Sequence, residues 1–157
     1  MTVSEIILQL VMAFAGSVGF TILFRLRRQL IIPASLGGCL SWGIYLLAHL
    51  HYNIFFACLI ASAFAALYSE LLARIRKAPV TLFFISAVIP LIPGSTLYYT
   101  MSYAVQRNWE KAGEYGNMTL QYAFAIAVGI SLIWALFSMR QKIRKGDDMK
   151  MDKKDRT

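Results

Sequence analysis

Apolar residues fill four long stretches of the chain, and polar residues collect between them. The stretches are 6–24, 30–73, 78–106 and 115–139, and Glu70 is the one charged residue inside them. A spanning helix needs roughly 20 apolar residues to cross a ~30 Å hydrocarbon core. The second stretch is long enough for two such spans, with His49, His51 and Asn53 as the polar connection. The pattern predicts an all-α integral membrane protein of about five transmembrane helices, over about 6–24, 32–50, 52–73, 80–106 and 118–139.

Within these spans, small residues mark expected packing faces. The first carries Ala15, Gly16 and Gly19. The second opens near Pro33, a residue suited to a helix's first turn, and continues through Gly37, Gly38, Ser41 and Gly43. In the third, Ala57, Ala61, Ala65 and Ser69 recur every four residues as one thin ridge. Small residues at that spacing let helix backbones approach closely in lipid. The polar segment 107–117 holds Trp109 and Tyr115, with Tyr103 nearby, and reads as an interfacial connection. Beyond residue 139 the composition turns to Lys, Arg and Asp, so 140–157 is expected to be a disordered tail. Residues 1–139 then form one transmembrane domain, with no soluble domain and no internal repeat.

The fourth span is expected to be interrupted between Pro90 and Gly94. At about 1.5 Å per residue, Pro90 lies roughly 15 Å from Val80, close to the bilayer midplane. Proline lacks an N–H and clashes with the preceding turn. Pro90 removes the bond to the Ser86 carbonyl, and Pro93 the bond to that of Ile89. Gly94 would then permit a turn that other residues resist. Irregular backbone at this depth is tolerated where it is buried in protein or lines a wet cavity. A second half-helix would start near Gly94, with Ser95 and Thr96 as N-cap residues. Its free N–H groups and positive dipole end suit a carboxylate. The released carbonyls of Ser86 and Ile89 suit an ammonium or a cation, and Tyr98 and Tyr99 add hydroxyls. Broken helices at mid-membrane recur in secondary transporters. The competing reading is a structural proline kink.

The formal charge of +8 raises the question of nucleic acid. Its placement answers it. Arg25, Arg27 and Arg28 follow the first span, Arg74, Arg76 and Lys77 follow the third, and eight basic residues lie between Arg140 and Arg156. The intervening connections hold only Arg107 and Lys111. Alternate sides thus carry fourteen and two basic residues. The positive-inside bias places the N-terminus outside and the C-terminus in the cytoplasm. Basic residues here are topology signals, with contact to anionic lipid as a weaker role and no nucleic-acid role. The leader Met-Thr-Val-Ser-Glu lacks the basic n-region of a cleaved signal peptide. Cys39 and Cys58 fall in spans and read as small buried hydrophobes.

Catalytic chemistry has no footing in this sequence. It holds no HExxH, no GxSxG, no nucleotide loop and no deep acid pair, so neither an enzyme nor a cofactor is expected. His49 and His51 are two apart and would point to different helix faces, which argues against a metal site. Glu70 stands four residues before Arg74, the favourable order for a helix ion pair, and reads as structural. Trp42 and Trp134 read as packing residues.

The run Pro79-Val80-Thr81, then Ala87-Val88-Ile89-Pro90-Leu91-Ile92-Pro93-Gly94-Ser95 and Leu97-Tyr98, resembles the signature of the bacterial threonine/serine exporter family. Gly16, Gly19-Phe20, Phe24, Leu36-Gly37-Gly38, Trp42 and Tyr45 are similar too. The likeness is to the family's C-terminal-half domain, which also occurs alone as a small subunit, and covers residues 10–135. It implies a multi-pass protein of the bacterial cytoplasmic (inner) membrane that exports threonine/serine-type amino acids with a larger membrane partner. Dicarboxylates such as succinate are the alternative substrates. A non-transporting scaffold for the larger subunit is the alternative of another class, and a higher oligomer is compatible with either. The substrate-binding candidates are Ser86, Ile89, Pro90, Pro93, Gly94, Ser95, Thr96, Tyr98 and Tyr99.

Overall fold

A computed structural model describes residues 3–139. The helices run in the order α1 (Val3–Leu23), α2 (Arg28–His49), α3 (Ile54–Arg76), α4 (Val80–Val88) and α5 (Gly94–Val105), with a 3-10 turn, Ile89–Leu91, between the last two. α6 begins at Trp109 and is described to Met139. The expected tail, 140–157, lies outside the described residues. Four helices (α1, α2, α3 and α6) are long and apolar enough to cross a membrane. The α4–α5 pair, bent by 51° at the break, brings the number of candidate spans to five if it is counted as one span. The protein is all-helical and multi-pass.

Two boundaries differ from the sequence expectation. α2 starts at Arg28, so Pro33 is inside the helix and not in its first turn. α6 starts at Trp109, so most of the polar segment 107–117 is helical. Asn108 explains the early start, because its side-chain Oδ1 accepts the Lys111 N–H at 3.3 Å, as an N-cap does.

Three turns share one device. Arg25, Lys77 and Arg107 adopt left-handed backbone, with φ of 52°, 51° and 58°. Each ends a helix where glycine is usual. The next residue's N–H closes back onto the helix: Leu26 to Thr21 O at 3.0 Å, Ala78 to Ala73 O at 3.1 Å, and Asn108 to Tyr103 O at 2.9 Å. The helix-end carbonyls are thereby satisfied.

α4 packs against α1, α2 and α3. Around the buried Phe83 ring, most of the core there is small or polar. Ser17, Thr21, Ser35, Ser41, Ser62, Ser69 and Ser86 are fully buried, as are Ala57, Ala61 and Ala65. Large apolar side chains face outward, among them Leu47, Phe124 and Leu132. Lipid is as apolar as leucine, so close backbone contact and hydrogen bonds, not burial of bulk, hold such helices together. The α3 ridge of Ala57, Ala61, Ala65 and Ser69 lies on this buried side. On α1 the buried positions are Ser17 and Thr21, while Gly16 and Gly19 have nothing near them.

Glycines on α2 and α6 set the closest approaches. A Cβ on Gly38 would run into Ser17 Oγ and come within 2.7 Å of Ser86 O. Through that gap Ser17 Oγ, on α1, donates to the Ser86 carbonyl, on α4, at 3.0 Å. A Cβ on Gly37 would meet the Tyr68 ring at 2.8 Å. On α6, Gly129 lets Ser62 and the Leu59 carbonyl of α3 approach. Between α2 and α6 the Tyr45 and Tyr122 hydroxyls are 2.6 Å apart.

Candidate functional site

The interruption of the fourth span is built from three short conformational pieces. α4 ends at Val88, and Ile89–Leu91 tightens into a 3-10 turn with Pro90 in its first turn. Ile92 is then extended, with φ −66° and ψ 125°. Pro93, at φ −77° and ψ 56°, stands in the N-cap position of α5. The two prolines produce the break as their missing N–H groups require. Glycine's conformational freedom does not contribute. No glycine in the described chain has a positive φ, and Gly94 is an ordinary first helical residue. What Gly94 provides is space, since a Cβ there would have no neighbour within 4 Å.

The start of α5 has no side-chain cap. Ser95 and Thr96 were expected as caps, but they stand one and two positions inside the helix. Gly94 N–H reaches back to Ile92 O at 2.8 Å, and Leu97 N–H to Pro93 O at 3.1 Å. Ser95 is exposed. Thr96 Oγ1 donates to Pro93 O at 3.1 Å and lies 3.0 Å from Thr119 Oγ1 of α6. A helix start with open N–H groups offers partial positive charge to an anion.

The sequence candidates divide into three groups. Gly94, Ser95 and Tyr98 share the open side, with Tyr98 68% exposed. Thr96 and Tyr99 turn toward α6, where Tyr99 lies 5.3 Å from Tyr115, centroid to centroid. Ser86, Ile89 and Pro90 lie on the core side. The carbonyls released there already have partners. Ser86 O accepts the Ser17 hydroxyl, and Ile89 O accepts Ile92 N–H at 3.2 Å. The Ser86 hydroxyl itself turns to Leu82 O of its own helix, at 3.3 Å.

Three participants were not legible as such. Ser17 satisfies the released carbonyl, and Thr119 fixes Thr96. Only helix pairing in space identifies them. Trp42 is the third. It stacks on Tyr45 at 5.0 Å and packs against the cluster holding Val88 and Leu91, and its indole N–H has no partner among the described residues. Trp42 is therefore a packing residue that also presents a buried donor.

The break has one finished wall. Leu91 is buried at its core side, while Ile92 is 55% exposed. α5 has no buried residue and packs chiefly on α6. Glu70 lies elsewhere, 2.8 Å from Arg74, and the Arg74 guanidinium lies over the Phe137 ring at 5.0 Å.

A family model described as "Threonine/Serine exporter, ThrE" matches residues 9–136. No curated protein and no solved structure gave a match.

Proposed function

The chain belongs to the threonine/serine exporter family, and on that premise we propose that it is the small subunit of a two-component exporter of the bacterial inner membrane. Its substrate's carboxylate meets the start of α5 at Gly94–Thr96. The observation that carries this reading is the uncapped, open helix start beside an unfilled glycine. Backbone left irregular in a bilayer needs a cavity or a protein wall, and here one side of the break is uncovered. The larger membrane partner supplies the second wall. Further support comes from α1, whose Gly16 and Gly19 face away from the bundle with room for another backbone. The partner also holds any proton-coupling group, unless Glu70 serves.

Threonine and serine are the substrates that the family suggests. A dicarboxylate is the second reading, favoured by one observation. The Ser86 and Ile89 carbonyls, which would have received an ammonium, already hold protein partners. Serine and succinate efflux from cells expressing this chain with its partner separates the two.

Gly94→Leu tests the site. The side chain enters open space, so membrane abundance should match wild type while export falls on the order of tenfold or more. Normal export by this variant would exclude the α5 start as a substrate contact. Depleting the chain tests the role. A transport half loses export per partner molecule, whereas a scaffold loses partner abundance and keeps export per molecule.

A further inference from the structure

At the opposite end of the bundle from the α5–α6 turn lies a cavity of about 570 Å³. It sits between the α1–α2 and α3–α4 connections. Small-ligand sites span roughly 300–1,000 Å³, so the volume suits a molecule and not only a few waters. Four cations line it: Arg25, Arg27, Arg76 and Lys77, and no carboxylate does. Among the described residues none of the four is in an ion pair. Two of them, Arg25 and Lys77, are held in place by their left-handed helix-end turns. α2 and α4 also begin here, with Arg27 and Pro79 in their N-cap positions and no side-chain cap on either. Their open N–H groups add positive potential to that of the side chains. Apart from Gln29, the rest of the lining is apolar and includes Phe24, Leu30 and Ile75.

We infer that this cavity binds the phosphodiester headgroup of an anionic membrane phospholipid. The charge selects an oxyanion. The apolar part of the lining selects one that carries hydrocarbon, because a free anion would gain nothing from it. The position at the ends of four spans places the headgroup at the membrane surface, where basic pockets between helices take such lipids. The inference is independent of the substrate site at α5.

Native mass spectrometry of the full chain in detergent, with equal phosphatidylglycerol and phosphatidylcholine, tests it. The wild type should retain phosphatidylglycerol in preference, on the order of tenfold. Arg27→Gln with Arg76→Gln should erase that preference. Arg27→Lys with Arg76→Lys should keep it, which separates lost charge from lost fold. Arg107→Gln with Lys111→Gln, at the other end, should change nothing. Equal retention of both lipids by the wild type overturns the inference, as does an unaltered preference in the double Gln variant. Release of bound phosphatidylglycerol by millimolar inorganic phosphate would assign the cavity to a soluble anion and overturn it as well.

Discussion

At the scale of single residues, glycine positions carry opposite meanings. Gly38 is where three helices meet, and a methyl group there collides with Ser17 and with the Ser86 backbone. Overpacking of this kind costs about 1–3 kcal/mol. Gly38→Ala should therefore lower the thermal unfolding midpoint of the purified protein. Gly16 faces open space, and Gly16→Ala should leave the midpoint unchanged or raise it, since alanine favours helix by about 1 kcal/mol. Equal midpoints for the two variants would refute the three-helix crossing. Neither role was legible in sequence. Ala15, Gly16 and Gly19 look like a packing face, yet α1 packs through Ser17 and Thr21. In lipid both faces of a helix are apolar or small, so no hydrophobic contrast marks the inner one.

At the scale of elements, the apolar helices and the break between Pro90 and Gly94 were legible, for two strong physical reasons. Uncharged runs of span length have few alternatives in a 157-residue chain, and two prolines three residues apart must open a helix. The internal accounting of the break was not legible. Sequence cannot say that a serine 69 residues upstream fills the released carbonyl. Nor did it reveal that α6 starts at Trp109, because polarity there masks the Asn108 cap. The break also determines where α5 lies. Thr96 and Thr119 sit close enough that Thr96→Cys with Thr119→Cys, with Cys39 and Cys58 replaced, should form a disulfide under mild oxidation. Adding Pro90→Ala and Pro93→Ala restores both N–H groups and should straighten the span. Disulfide yield should then fall several-fold. Undiminished yield would mean that the α5–α6 contact, and not the prolines, directs α5.

Across the whole molecule, charge follows the architecture. The α1–α2 and α3–α4 connections hold Arg25, Arg27, Arg76 and Lys77, which line the same cavity, whereas among the described residues the opposite end carries only Arg107 and Lys111 as Arg or Lys. From the positive-inside bias we propose that the basic end faces the cytoplasm. With native cysteines replaced, His51→Cys should react with an impermeant maleimide in intact cells, and Ala78→Cys only after permeabilisation. The reverse labelling would invert the molecule, and with it the side from which substrate reaches α5.

The link between α1 and α4 also imposes an order on biogenesis. α4 has nine residues, too few to stand across a bilayer alone, and its freed carbonyl at Ser86 finds its donor on a helix synthesised much earlier. The hydroxyl of Ser17 and the notch at Gly38 both leave the ribosome before α4 does. The surface that receives α4 is thus complete in α1 and α2 before α4 is made. Without that pairing to Ser17 the Ser86 carbonyl would meet hydrocarbon with no donor, a cost of several kcal/mol for a backbone group in lipid.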